Sequence, residues 1–340
     1  MSAMSLHTPS GGGRAAAAAS SGAAPNMVTG ATGPTMARIV ALAALLVLLA
    51  VPFLLYPVFL MKVLCFALFA CAFNLLIGFG GLLSFGHAAF FGSAAYVTAH
   101  TVKMWGVPPE LGILLGTAAS AFLGLLFGGI AIRRQGIYFA MITLALSQMV
   151  YFLALQLPFT HGEDGIQAVP RGVLFGVFDL NNPLAMYYTV LGIFLIGFAI
   201  IWRTVQSPFG QVLKAIRENE PRAISLGYRT DRYKLLAFIL SASLAGLAGG
   251  TKAIVFQLAT LTDVTWQMSG EVVLMTLLGG MGTLSGPVIG AALVVTLENY
   301  LAATSLPVPV VIGCIFVACV LVFRRGIAGE ILARLGNKSR

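Results

Sequence analysis

Few side chains in this sequence could do chemistry, and most of them gather at two glycine-rich breaks between apolar runs. The first break is Gly78-Phe-Gly-Gly-Leu-Leu-Ser-Phe-Gly-His87, with Asn74 just before it; the second is Gly279-Gly-Met-Gly-Thr-Leu-Ser-Gly-Pro287. Irregular backbone at membrane depth survives only where protein buries it or where it lines a wet cavity, so paired breaks point to a transport path. Asn74, Ser84 and His87, set among Gly80, Gly81 and Gly86, have two readings. They line the path of a zwitterionic solute near a gate, or they hydrogen-bond freed backbone groups and stabilise a bend. Gly279, Gly280 and Gly282 form the second break, which shares a Leu-Ser-then-Gly pattern with the first and suggests an internal repeat. Thr143, Ser147 and Gln148 lie on one helix and are the next candidates for the path.

Catalytic chemistry has no foothold. No paired carboxylates and no Ser/His/Asp set converge within the apolar runs. Glu298 is the one carboxylate well inside a span, which argues against a proton relay. A phosphate-binding loop needs Gly-Lys before Ser or Thr, and the six lysines follow Met61, Val102, Leu213, Tyr233, Thr251 and Asn337. We therefore expect no catalytic residue, no ATP hydrolysis and no cofactor in this chain. Cys65, Cys71, Cys314 and Cys319 stand in apolar runs with no nearby His, so they read as packing residues rather than metal ligands.

The elements that must position these groups are apolar. Of 340 residues, 59% are hydrophobic and 9% charged, against about 25% charged in a soluble domain. That excludes a soluble enzyme, a nucleic-acid module and a secreted disulfide scaffold, and gives an all-α, polytopic membrane protein. Residues 1–37 are rich in Ala, Gly and Ser and read as a disordered tail. Apolar runs follow near 39–57, 63–79, 85–101, 111–132, 136–157, 185–202, 235–256, 271–281, 286–303 and 307–323, about ten spanning or partly spanning helices within a membrane domain over 38–323. Of the 20 Lys and Arg residues, 16 fall in 1–38, 133–135, 203–234 and the basic tail 324–340. The excess of positive charge marks those segments, and both termini, as cytoplasmic. Lys62, Lys103, Arg171 and Lys252 remain on the opposite side, where Lys252 is expected to snorkel to the interface. Glu271 is expected to open a span, at the positive end of a helix dipole. Gly112, Gly116, Ser120, Gly124 and Gly128 form a small-residue stripe, and Ser241, Ala245 and Gly249 a second beside Ala242, Gly246 and Gly250; both suit close helix packing.

The segment 203–234 is the most informative. Ser207-Pro208 is a helix start, with Ser as N-cap and Pro at the first helical position. Pro221 interrupts that helix and opens a second, short one that Gly227 stops. Two capped helices with net charge +4 suit docking on a soluble protein, or resting on anionic lipid.

Four stretches carry a resemblance. They are Ser207 to Tyr228, with Lys234 and Ala237-Phe-Ile-Leu-Ser-Ala-Ser-Leu-Ala-Gly-Leu-Ala-Gly249; Asn74 to Gly92; Gly136-Ile-Tyr-Phe-Ala-Met-Ile-Thr-Leu-Ala-Leu-Ser-Gln148; and Glu271 to Gly290. Over about 40–325 the chain resembles the LivM-type permeases of branched-chain amino-acid ABC importers. The resemblance implies a type II importer fold in a bacterial inner membrane, with leucine, isoleucine and valine as solutes. It implies as partners a homologous permease in a heterodimer, two cytoplasmic ATP-binding subunits that consume the ATP, a periplasmic binding protein and membrane lipid, with no nucleic acid. It also puts an ATPase-coupling role on Arg217, Glu218, Asn219, Glu220, Arg222, Ala223, Leu226 and Gly227. Pro221-Arg222 departs from the smaller residues of many such permeases and leaves the helix register open. Urea or short amides are the alternative solutes. A stand-alone channel or secondary carrier would leave the 207–227 helices without a purpose, and a membrane scaffold would not explain the polar breaks.

Overall fold

The computed structural model describes residues 43–302 apart from 44, 175 and 177, together with 310, 311, 313, 314, 317, 326 and 327. The expected tails 1–37 and 324–340 with both termini, nearly all of the 307–323 run and the start of the 39–57 run lie outside those residues.

The fold is all-α and polytopic. Eight of the apolar runs appear as helices: α1 (Pro57–Asn74), α2 (His87–Met104), α3 (Pro109–Ala131), α4 (Ile137–Gln156), α5 (Pro183–Gln206), α8 (Thr230–Phe256), α9 (Trp266–Gly279) and α10 (Gly286–Leu301). Between α5 and α8 stand the short α6 (Pro208–Glu218) and α7 (Glu220–Ser225). Five helical stretches are long and apolar enough to cross a bilayer: α1 with its extension to Phe79, α3, α4, α5 and α8. Prolines in the first turn open α1, α3 and α5, where the missing N–H costs nothing. The Asn182 side chain adds a cap to α5 by accepting from the Leu184 N–H at 3.0 Å.

One boundary differs from expectation with consequences. The 271–281 run begins at Trp266, so Glu271 lies more than a turn inside α9 and does not open it. Gln267, Ser269 and Gly270 break the apolar pattern there, yet a first turn needs no apolar face.

The two small-residue stripes mesh. Ser120 on α3 donates to the Ala242 carbonyl of α8 at 2.6 Å. Gly124 faces the Ala242 methyl, and Gly246 faces Ser120. Close backbone approach of this kind replaces the hydrophobic drive that lipid cannot supply. At Gly249 a methyl would overlap the Phe91 carbonyl of α2, whereas Gly129 faces open space. Gly249→Ala is therefore expected to lower stability by about 1–3 kcal/mol, the usual cost of overpacking. Gly129→Ala should be neutral, and thermal unfolding in detergent compares the two.

The two ends of the bundle are built differently. One end carries both breaks, the Arg133–Gln135 turn and α6–α7. At the other, β1 (Ile166–Gln167) pairs antiparallel with β4 (Leu258–Ala259), and β2 (Val173–Leu174) with β3 (Phe178–Asp179). Lys103 Nζ donates to the Gln167 carbonyl at 2.7 Å, and Arg171 to the Val255 carbonyl at 2.8 Å. Lys252 does not snorkel. It is 8% exposed and meets both carboxylate oxygens of Asp263, at 2.7 and 2.6 Å, because α8 ends at Phe256 and the chain folds a carboxylate back over it.

Candidate functional site

The site is assembled where α1 stops being regular. After Asn74 the helix widens into a π turn over Leu75–Phe79, a distortion frequent at functional positions. The chain then leaves helical geometry through Gly81, at φ +70°, and resumes at His87. The second break does the same between α9 and α10, with Gly280 at φ +115° and Gly282 at φ +76°; backbone there favours glycine because a Cβ would be strained.

The two breaks touch. Asn74, buried at the end of α1, donates through Nδ2 to the Thr283 carbonyl at 2.8 Å and accepts from the Gly282 N–H at 3.0 Å through Oδ1. One side chain thus satisfies a donor and an acceptor of the other break, 209 residues away. Gly78 packs against that amide, leaving no room for a side chain.

From the same end α6 grips the first break. Leu213 is fully buried and lies under Gly80, while the aliphatic stem of Arg217 crosses Gly81. The Arg217 guanidinium donates to the Gly78 carbonyl, and a Cβ on Gly282 would be 3.6 Å from its Nη1. Arg217, Gly78 and Gly282 form a junction of α6, first break and second break.

The capped character of α6 and α7 is as expected from the sequence. Ser207 Oγ accepts from the Gly210 N–H at 3.4 Å, and Asn219 Oδ1 accepts from the Arg222 N–H at 3.0 Å. At the end of α7, Tyr228 N–H reaches the Ala223 carbonyl and Gly227 N–H the Ile224 carbonyl, with Gly227 at φ +88°. That is a Schellman stop. Pro221 falls in the first turn of α7, where it is tolerated. The Glu220 carboxylate ties α7 to the body through buried Lys234 on α8 and through Gln135 Nε2 at 2.7 Å. Ala223 is buried; Glu218, Asn219, Arg222, Leu226 and Gly227 face outward. Ile224 and Leu226 leave 55% and 69% of their surface uncovered.

The start of α2 collects hydroxyls. Ser84 Oγ accepts from the Gly86 N–H at 3.2 Å, Thr143 Oγ1 on α4 from the Phe85 N–H at 3.2 Å, and Ser269 Oγ on α9 from the Ala88 N–H at 3.0 Å. These replace partners that a helix start lacks. His87 is fully buried, with Phe73, Phe90 and Phe238 edge-on around its ring. Ser241 donates to the Ala72 carbonyl at 2.6 Å, so its oxygen accepts from His87 Nε2 at 2.9 Å, which sets the protonated nitrogen. His87 and Ser241 together join α1, α2 and α8. Gln148 is half-buried, and no hydrogen bond joins it to either break among the described residues.

Several of these partners carried no sequence signal as site residues. Ser241 stands within a packing stripe, Ser269 lies between the apolar runs 235–256 and 271–281, and Gln135 is part of a short basic segment. Among the described residues no nucleophile, acid and base converge here; what the arrangement can do is pass a displacement of α6–α7 to two backbone breaks at once.

The family described as branched-chain amino acid transport system / permease component matches residues 57–323. The chain is similar to the high-affinity branched-chain amino acid transport system permease protein LivM of Salmonella typhimurium and of Escherichia coli K12, 29% identical to each over 214 residues, covering 56% of this chain and 49% of the relative. It is also similar to the autoinducer 2 import system permease protein LsrC of Salmonella choleraesuis, 27% identical over 202 residues, covering 57% of this chain and 55% of that protein. The chain spans about half the length of the curated relatives it matches. No solved structure matches it.

Proposed function

The chain belongs to the branched-chain amino acid transport system / permease component family, and on that premise we propose that it is the membrane permease subunit of an ATP-driven importer for leucine, isoleucine and valine. It forms the translocation path with a homologous permease in a bacterial inner membrane. Two cytoplasmic ATP-binding subunits supply the energy, and a periplasmic binding protein delivers the solute. The α6–α7 end faces the cytoplasm, in keeping with the net charge of +4 over residues 203–234.

The observation that carries this reading is the Arg217 junction. Closure of two ATPases must reach the membrane helices through a stiff contact, and α6–α7 is capped, braced by Glu220 and Lys234, and hydrogen-bonded to the first break. Outward-facing Ile224 and Leu226 supply the apolar contact for an ATPase groove. Leu226→Asp is expected to cut ATP-dependent uptake about tenfold or more, the effect of losing an interface anchor, with little change in the thermal unfolding midpoint because 69% of the Leu226 surface is already exposed.

The test is uptake of labelled leucine into proteoliposomes holding the chain, its partner permease, the ATPases and the binding protein. Uptake that needs ATP and fails in an Arg217→Ala/Glu220→Ala variant supports the proposal; uptake by this chain alone, without ATP, ends it. The similarity to LsrC favours a second solute reading, autoinducer 2, and labelled autoinducer 2 and urea belong in the same assay.

A further inference from the structure

Glu220, at the start of α7, divides its carboxylate between two parts of the bundle. Oε1 accepts from the Lys234 ammonium near the start of α8, and Oε2 accepts from Gln135 Nε2 at 2.7 Å. The Lys234 contact is enclosed, at 4% and 16% side-chain exposure, and fixes α7 on α8. The Gln135 contact lies on the surface, where water replaces a lost partner at little cost to folding. What the Gln135 bond does is join α7 to the turn that leads into α4.

Only Gly136 separates Gln135 from α4. Two turns further on, Thr143 is fully buried, and its Oγ1 accepts from the Phe85 N–H at 3.2 Å. Gly86 packs beside it, with the Thr143 carbonyl 3.1 Å from where a Cβ would stand. Among the five long apolar stretches α4 is the least enclosed: 28% of it is buried, against 72% for α8 and 78% for α1 with its extension. A helix so loosely packed follows its polar ties. The first break is therefore held at both ends, Gly78 by Arg217 of α6 and Phe85 by Thr143 of α4. We propose that Gln135 is a positioning residue for transport, which carries a displacement of α7 into α4 and so to the Phe85 end of the first break, while Arg217 moves the Gly78 end. Driven from both ends, the break shifts as a unit instead of stretching. This inference rests on the reading of α6–α7 as the ATPase contact.

The full reconstituted importer tests it, read as leucine taken up per ATP hydrolysed. Gln135→Leu keeps the side-chain size and removes the donor. It is expected to lower that ratio about tenfold, the low end of what a hydrogen bond to a charged group is worth. ATP hydrolysis and the thermal unfolding midpoint should be kept, because Lys234 still holds Glu220. Gln135→Glu should lose as much, since it sets one carboxylate against another, and Gln135→Lys should restore the ratio by donating to Glu220 again. A merely structural role would not sort the variants by donor. Hydrogen–deuterium exchange over 84–88 should respond to ATP in the parent and in Gln135→Lys, and not in Gln135→Leu. Equal ratios in the parent, Gln135→Leu and Gln135→Glu overturn the inference and leave the importer reading standing. A parent that takes up leucine without ATP defeats the importer reading, and this inference with it.

Discussion

Lys252→Met is expected to destabilise the chain by about 3–5 kcal/mol, the usual cost of leaving one member of a buried ion pair alone. Asp263→Asn should cost a similar amount. Both side chains are almost fully enclosed, at 10% and 3% exposure, so water cannot replace the lost partner. Asp263 also accepts from the Thr260 N–H at 3.3 Å and from the Thr260 hydroxyl at 3.2 Å, closing the capping box of the Leu261–Val264 turn. The double variant Lys252→Met/Asp263→Asn removes both charges and keeps an acceptor for Thr260. It should recover most of the loss, since a buried pair and an uncharged replacement of similar shape are often close in energy. Cys65 and Cys71 are buried free thiols, so thermal unfolding followed with a thiol-reactive fluorophore reads each variant. Losses that simply add in the double variant would show that the pair is not coupled. The pair matters beyond its own energy because it anchors the connector whose Leu258–Ala259 pairs with Ile166–Gln167, and so holds the long loop over that end.

The same pair marks what the sequence makes legible. Apolar runs located eight helices with ends off by up to about six residues, since in lipid every backbone group must be satisfied within its own segment and helices do this cheaply. Ser207-Pro208 and Gly227 bounded α6–α7 correctly because capping chemistry is local in sequence. The glycine breaks were visible for the same reason. Which groups meet across the bundle was not visible. Lys252 reads as a snorkelling residue until α8 is known to end at Phe256 and turn Asp263 back onto it. The stripe through Ser241 reads as packing alone until Ala72 and His87 are found on either side of its hydroxyl. Glu271 reads as a helix start because Gln267, Ser269 and Gly270 hide the first turn of α9. Hydrogen bonding to a residue 209 positions away leaves no period or spacing to detect.

That long-range bond carries the second large effect. Asn74→Leu is expected to destabilise the chain by about 2–4 kcal/mol: the volume is nearly kept, but the buried Gly282 N–H and the Thr283 carbonyl each lose their partner, at about 1–3 kcal/mol for each group left unsatisfied. Asn74→Asp separates the two bonds. Its carboxylate still accepts from Gly282 N–H, yet it cannot donate to Thr283 and sets a negative charge against that carbonyl, so it should be at least as damaging. Function should suffer more than stability alone explains. Gly78 both packs on the Asn74 amide and takes the Arg217 hydrogen bond, so a displacement of α6 reaches the second break through Asn74. Hydrogen–deuterium exchange should rise over 280–284 in Asn74→Leu while exchange in α3 and α8 stays low. ATP-dependent uptake should fall even at temperatures where the variant is folded. Arg217→Ala, which cuts the same line one step earlier, should lower uptake with little rise in exchange over 280–284, because the Asn74 bonds to Gly282 and Thr283 survive it. If Arg217→Ala frees the second break as much as Asn74→Leu does, the two breaks are not joined through Asn74 and the coupling takes another route.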